Sequence, residues 1–101
     1  MTLDINMKML HVKDEIVLSA ADHSLMGRTV SENGMHITVN ENFYGESTVT
    51  LKFLDEAMAI CTIGNFVGEK TVGRAVKNGL VDPENIIMIS GVPHAQFARM
   101  L

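Results

Sequence analysis

The chain has 101 residues, 47% of them apolar, and a formal net charge of −4. This length predicts one domain over residues 1–101, because a second hydrophobic core would leave both parts too small to fold alone. The negative charge argues against tight, non-specific binding to a phosphate backbone, which needs dense positive charge. Residues 1–50 carry the whole imbalance, with three Lys or Arg against seven Asp or Glu.

Cysteine content and hydropathy indicate the compartment. Cys61 is the only cysteine, so the chain cannot form an internal disulfide, and a reducing cytoplasm is the expected location. No apolar stretch approaches the ~20 residues of a membrane-spanning helix. Asp4 interrupts the opening segment, which therefore does not resemble a signal peptide. We expect a cytoplasmic chain with no membrane contact and a disordered N-terminal segment over residues 1–6.

Short apolar runs in the first half of the chain predict β-strands. Residues 7–12 and 15–20 flank a two-residue turn and are typical of a β-hairpin. Residues 35–39 follow a strong turn signal, Ser-Glu-Asn-Gly, and predict a third strand. Residues 40–48 are polar and predict a loop that carries two aromatic rings.

Capping residues indicate where the first helical segments begin. Residues 22–27 predict a single helical turn with Asp22 as its N-cap and Gly27 at its end. Thr50 is a suitable N-cap for a longer helix that begins at the next residue. Five residues of that helix share one apolar face, as in a helix packed on a core: Leu51, Leu54, Ala57, Met58 and Cys61.

The second half predicts a further helix and a late strand. Residues 68–78 predict a helix that ends at Gly79. Residues 57–63 fit either the end of the preceding helix or a buried strand, and both interpretations remain open. Residues 85–90 are apolar on both faces, as expected of a strand inside a sheet. The whole pattern predicts an α+β fold: a small, mainly antiparallel sheet with two helices packed on one face, a two-layer sandwich.

The closing motif Gly-Val-Pro-His-Ala-Gln, residues 91–96, is the strongest candidate site. Gly91 tolerates a positive φ and Pro93 fixes its own φ, so together they predict a rigid bend after the late strand. In an extended continuation His94 and Gln96 point to the same side. An imidazole, which titrates near neutral pH, then lies beside a carboxamide. The alternative is an ordinary strand end with a surface histidine and a hydrogen-bonded glutamine.

The start of the second helix is a weaker candidate site for an anion. Gly68 lies between Asn65 and Glu69, and glycine beside free backbone N–H groups is typical of helix starts that bind phosphate. Glu69 already complements the helix dipole there, so helix capping is the simpler interpretation. The spacing matches neither the P-loop nor the dinucleotide-binding glycine motif.

A basic stripe, Lys70, Arg74 and Lys77, follows on one face of this helix. It predicts contact with RNA phosphates or with an acidic protein partner, and the alternative is a solvated helix face. Tyr44, beside Phe43, is a candidate for stacking on a base or for covering the core. The four histidines show no metal-ligand spacing, so we expect no metal and no cofactor.

Four motifs together resemble an archaeal family, domain of unknown function 424. The most specific of them is the closing motif, and the resemblance extends from about residue 7 to the end. It implies a compact α+β domain with no established reaction, and its archaeal distribution implies a role in information processing. The motifs are Phe-Tyr-Gly (43–45), the Asn and the Val-Gly-Glu of the segment 65–69, Gly-Leu-Val-Asp (79–82) and Gly-Val-Pro-His-Ala-Gln (91–96).

Three functions remain open. The first is a binding module for RNA or a translation-related protein, which would use the basic stripe together with His94 and Gln96. The second is a small enzyme with His94 as general acid/base, Gln96 orienting the substrate, and Asn65 or Glu69 completing the pocket. The third is a subunit of a homo-oligomer or larger complex. The first is favoured because no nucleophile, metal set or pair of acids stands out in the sequence.

Overall fold

A computed structural model describes residues 2–99. Within these residues the chain forms eight β-strands and three α-helices. The strands are β1 (Ile5–Val12), β2 (Glu15–Asp22), β3 (Thr29–Glu32), β4 (Met35–Thr38), β5 (Ser47–Val49), β6 (Ile63–Val67), β7 (Ile87–Ile89) and β8 (Val92–Ala98). The helices are α1 (Glu41–Tyr44), α2 (Leu51–Ile60) and α3 (Glu69–Lys77), and short 3-10 turns cover His23–Leu25 and Pro83–Asn85.

Six strands form one sheet in the order β5-β1-β2-β6-β8-β7, and β3 and β4 form a separate hairpin. β2 and β6 are parallel, whereas the other neighbouring pairs in the large sheet are antiparallel. The α+β class is therefore confirmed, but the sheet is mixed rather than mainly antiparallel. The difference arises because the connection from β2 to β6 is a long crossover that includes α2, and crossovers of this length allow parallel pairing.

The first hairpin forms as predicted and is longer than expected. β1 begins at Ile5, which is fully buried, and Asn6 beside it is also buried. The predicted disordered N-terminal segment over residues 1–6 is therefore wrong for these two residues, which belong to the sheet. Burial of the aliphatic Ile5 side chain offsets the entropy cost of ordering the backbone here. Met1 lies outside the described residues.

Residues 40–48 contain more regular structure than the predicted loop. Asn40 caps α1 through its side-chain oxygen, which accepts a backbone N–H of the helix at 3.0 Å. Gly45 follows with a φ of 88° and lies directly against the backbone of Met7. The two backbones are so close that position 45 has no room for a Cβ. This close approach brings the chain alongside β1, and β5 then pairs with β1.

The two longer helices begin as the capping residues predict. Thr50 Oγ1 accepts the N–H of Phe53 at 3.1 Å at the start of α2. Residues 57–63 are helix as far as Ile60, and a strand starts at Ile63. The predicted helix over 68–78 is α3. No helix among residues 2–99 is long and apolar enough to cross a membrane.

The late strand β7 is an edge strand, so its predicted position inside the sheet is wrong. Ser90 and Gly91 have φ values of 51° and 82° and form a two-residue hairpin turn. β8 therefore returns between β7 and β6 and takes the interior position. Ile87 and Met88 are exposed on this edge strand. The apolar sequence of β7 therefore does not indicate that the strand is buried.

The two faces of the large sheet carry separate apolar clusters, because successive side chains of a strand point to opposite faces. α2 and α3 cover one face and form the main core with residues that include Leu18, Ala20, Leu54, Met58, Phe66, Val72 and Ala95. On the other face, the segment between β2 and β5 covers only one end of the sheet. The second cluster there contains Ala21, Leu25, Val39, Tyr44 and Val67.

The carboxylate of Asp22 joins β2 to the start of α3. It accepts the N–H of Lys70 at 3.1 Å, the N–H of Thr71 at 2.9 Å and the hydroxyl of Thr71 at 2.8 Å. The prediction that Asp22 caps the turn over residues 22–27 is therefore wrong: no backbone N–H of that turn donates to its side chain. An anion at a helix start satisfies free N–H groups and complements the helix dipole, and α3 offers a longer helix for both effects.

Gly68 allows this cap to form. Its φ is 105°, and a Cβ at this position would overlap the carboxyl group of Asp22. Its N–H donates to the carbonyl oxygen of Pro93 at 2.9 Å, so the same junction also holds β8.

We predict that Gly68→Ala lowers the free energy of unfolding by about 3 kcal/mol, since it combines an unfavourable φ with steric overlap at a buried carboxylate. Gly73→Ala is the matched control: Gly73 lies inside α3 with open space around it, so this change raises the free energy of unfolding by about 0.5–1 kcal/mol. Urea denaturation measures both. Equal effects of the two substitutions would contradict the described junction.

Candidate functional site

Four polar side chains cross the sheet in one line on the face opposite α2 and α3. Lys8 of β1 pairs with Ser19 of β2, Ser19 pairs with Asn65 of β6, and Asn65 pairs with Gln96 of β8. Residues paired directly in neighbouring strands point to the same face. We call these four residues the polar row.

His94 lies beside the polar row. It is two residues before Gln96 on β8 and therefore points to the same face. The side chain is half-buried, and this burial lowers the pKa of the imidazole below its ordinary value of 6.5. The ring is consequently neutral at pH 7, with one nitrogen able to donate a hydrogen bond and the other able to accept one.

The two carboxamides of the row retain their hydrogen-bonding capacity. Asn65 is half-buried and Gln96 is exposed. Neither side chain makes a hydrogen bond to any residue within 2–99. Each carboxamide offers two donors and one acceptor oxygen, so the pair can bind a ligand that carries both donors and acceptors.

An aliphatic row runs next to the polar row, farther from the second cluster. It contains Leu10, Val17, Ile63 and Ala98, which are paired across the same four strands. Leu10 is 48% exposed because no element covers this half of the face. A depression of about 410 Å³ lies where the two rows meet on β6 and β8, lined by Ile63, Gly64, Asn65, Gln96, Phe97 and Ala98.

The bend at Gly91 and Pro93 belongs to a different surface. Gly91 is part of the hairpin turn, and Pro93 is buried on β8. Both residues line a cleft of about 210 Å³ at the end of β2 and β6, together with Asp22, Ser24, Leu25, Gly68, Glu69 and Val92. The predicted site is therefore divided. His94 and Gln96 lie on the sheet face that carries the polar row, whereas Gly91 and Pro93 line this cleft.

The predicted anion site at the start of α3 is already occupied from within the protein. The N–H groups of Lys70 and Thr71 donate to Asp22, so they are not available to a phosphate. Glu69 lines the cleft beside Gly68, whereas Asn65 lies in the polar row. Of the residues predicted to complete a pocket with His94, Asn65 shares its sheet face, although His94 does not line the depression beside Asn65, and Glu69 lies at the other cleft.

The basic stripe on α3 is partly neutralised. Arg74 donates two hydrogen bonds to the Asp55 carboxylate of α2, at 3.1 and 3.0 Å, and Lys70 lies 3.4 Å from the carboxylate of Asp4. α3 covers the sheet face opposite the polar row. Lys70, Arg74 and Lys77 therefore cannot contact one small ligand together with His94 and Gln96.

Tyr44 and Cys61 have structural roles. Tyr44 is 3% exposed in the second cluster, with its ring edge-on to Phe43 at a centroid distance of 4.8 Å, and burial raises its pKa to about 12. It covers the core and is not free to stack on a base. Cys61 is buried, and burial raises the pKa of its thiol, which keeps the sulfur unreactive.

Ser19 and Lys8 were not among the predicted site residues. Both lie in the predicted hairpin, and strand alternation alone places them on one face. Their position beside Asn65 depends on the parallel register of β2 and β6, which no local sequence signal indicates.

Comparison with known proteins confirms the resemblance noted in the sequence. A family model described as "Protein of unknown function (DUF424)" matches residues 10–100. The crystal structure of an uncharacterized conserved protein from Methanopyrus kandleri is similar over 96% of this chain and 95% of that chain, with a TM-score of 0.74 and 24% sequence identity. At this identity the likeness concerns the fold. No curated protein matches the chain significantly.

The lowered pKa of His94 predicts a defined pH dependence of stability. The folded state binds the imidazole proton more weakly than the unfolded state, so the free energy of unfolding falls as the pH drops below about 6.5 toward the lowered folded pKa. His94→Gln removes this contribution, and its unfolding free energy falls less between about pH 7 and pH 5 than that of the wild type. Urea denaturation across this range measures the slope, and an unchanged slope would show that the imidazole is not desolvated.

Proposed function

The chain belongs to the family of proteins of unknown function DUF424, and from the geometry of its sheet we propose that it is a binding module for a protein partner. The partner contacts the polar row, His94 and the aliphatic row. The observation that carries this proposal is the pair of neighbouring carboxamides, Asn65 and Gln96, which have no partner within residues 2–99 and adjoin the partly exposed Ile63 and the exposed Ala98 of the aliphatic row.

The chemistry of this surface suits recognition of a protein. Protein interfaces combine apolar contact area with a moderate number of hydrogen bonds, and the two rows offer both side by side. An exposed apolar patch beside polar groups is also a common feature of interaction sites. The neutral His94 adds a donor and an acceptor without adding charge.

Charge argues for a protein rather than RNA. The net charge is −4, and phosphate binding depends on several free Lys or Arg side chains. Arg74 and Lys70 are paired with carboxylates, and Lys8 of the polar row donates to the carbonyl oxygen of Asn42 at 2.8 Å. RNA contact and an association with translation are accordingly less well supported. A cytoplasmic location remains part of the proposal, and the free, buried thiol of Cys61 supports it.

A small enzyme is the second candidate, because His94, Gln96 and Asn65 share one face. Ser19, the nearest hydroxyl of the row, is separated from the strand of His94 by β6. Two strand spacings amount to roughly 10 Å, which is too far for a base to activate a nucleophile. His94 would therefore have to act directly on a substrate held by the carboxamides.

The proposal predicts that a photo-crosslinking side chain at position 98, which is exposed and lies next to Gln96 on the same face of β8, yields in the host cell a protein adduct of defined mass that resists nuclease. The same side chain at the exposed Asn85, on a surface turn, is the matched control and yields no such adduct. Asn65→Ala in the crosslinking chain reduces the adduct by about tenfold, since it leaves partner groups unpaired.

Thermal unfolding checks that Asn65→Ala remains folded. A nuclease-sensitive adduct would indicate RNA instead. Equal adducts from positions 98 and 85, or an adduct insensitive to Asn65→Ala, would contradict recognition by the polar row.

A further inference from the structure

One edge of the large sheet is open along half of β1. β1 pairs with β2 over all of Ile5–Val12, but β5 pairs with it only at Ile5, Asn6 and Met7. From residue 8 to residue 12, β1 therefore has no neighbouring strand on its outer side among residues 2–99. An open edge of this kind is a template for pairing with another chain.

Two residues of this edge present backbone groups outward. The two-residue turn after Val12 closes the hairpin on a hydrogen-bonded pair, so the N–H and C=O groups of Val12 and Leu10 point toward β2. Those of Met9 and His11 then point away from the sheet. Within residues 2–99, no backbone or side-chain hydrogen bond reaches Met9 or His11 from that side.

A cleft of about 710 Å³ lies at the start of this open edge, beside Lys8 and Met9, where β5 begins. On the side of α2 its wall contains Phe53, which is 51% exposed, together with Met9 and Val49. On the side of the polar row its wall contains Glu41, Asn42, Glu46 and Lys8, whose ammonium donates to the carbonyl oxygen of Asn42. One wall is therefore apolar, and the other carries two exposed carboxylates and one ammonium that is already bonded within the chain.

We propose that the outer edge of β1 accepts an extended peptide as an additional strand of the sheet. The side chains of such a strand alternate between the two walls. Apolar side chains contact Phe53 and Met9, and basic side chains approach Glu41 and Glu46. The partner is thus a segment with alternating apolar and basic residues. This surface is distinct from the polar row, so the inference does not depend on the proposed function.

Charge complementarity favours binding of such a peptide over binding of a second copy of the chain. Two copies joined along the same edges would place the carboxylates of Glu41 and Glu46 in both clefts, with no excess of basic groups to neutralise them. The charged residues that line each cleft are Glu41 and Glu46 against Lys8, so two clefts brought together would hold twice as many carboxylates as ammonium groups. Like charges facing one another oppose association.

The test uses the full chain and a synthetic peptide of about seven alternating valines and lysines, the length of a typical strand. On addition of the peptide, amide hydrogen exchange at Met9 and His11 slows by about tenfold or more, as measured by NMR. A peptide with glutamate in place of lysine gives no protection. Nor does a valine-lysine peptide whose pairing amides are N-methylated, because it cannot complete the ladder.

Two sets of variants separate the backbone contribution from the charge contribution. His11→Pro removes one outward N–H on an exposed edge, where proline is tolerated, and abolishes binding, whereas His11→Thr keeps the N–H and binds as the wild type does. Glu41→Gln combined with Glu46→Gln weakens binding of the lysine peptide by about three- to tenfold and reduces its salt dependence. Urea denaturation confirms that each variant is folded.

Three results would overturn the inference. The first is an absence of exchange protection at Met9 and His11 at millimolar peptide. The second is protection confined to another strand, such as the edge strand β7. The third is protection of the same amides without peptide that rises with protein concentration, which would show that a second copy occupies the edge.

Discussion

The carboxylate of Asp22 at the start of α3 is the interaction on which the arrangement of the sheet depends. It connects the end of β2 to a helix that directly follows β6, so it holds the two parallel strands side by side. Gly68 makes room for the carboxylate and donates its N–H to Pro93, which adds β8 to the same junction. A buried carboxylate is stable only when donors surround it, and the N–H groups of a helix start provide them. The relative position of β2, β6 and β8 follows from this one site.

The polar row is a consequence of that register. Ser19, Asn65 and Gln96 are far apart in the sequence and become neighbours because β2, β6 and β8 are adjacent. The two longer helices cover only the opposite face, and the segment between β2 and β5 covers one end of this one. Half of a sheet face thus remains uncovered, with hydrogen-bonding groups beside aliphatic side chains. A surface of that composition is typical of sites that contact other molecules, and it contributes little to the stability of an isolated chain.

Local signals in the sequence predicted the features that depend on neighbouring residues. Thr50 as a helix cap, the first hairpin, and the shared side of His94 and Gln96 all follow from spacing alone. Asp22 shows where local signals fail. Its side chain accepts a backbone N–H of Lys70, 48 residues farther along the chain, rather than one from the turn beside it. The parallel pairing of β6, the edge position of β7 and the inclusion of Ser19 in the site also depend on long-range packing. Such contacts leave no pattern in the local sequence, because many registers satisfy the same alternation of apolar and polar residues.

The central claim is that the carboxamides of Asn65 and Gln96 lie next to each other, unbonded and accessible, on the uncovered half of the sheet. Exchange of their side-chain NH₂ protons with water, followed by NMR, tests this claim without knowledge of the partner. The account predicts exchange rates within a few-fold of the exposed Asn85, together with nuclear Overhauser contacts between the two carboxamides. Protection of either group by more than about tenfold relative to Asn85 would show that it is bonded within the protein, and the proposed binding surface would be contradicted.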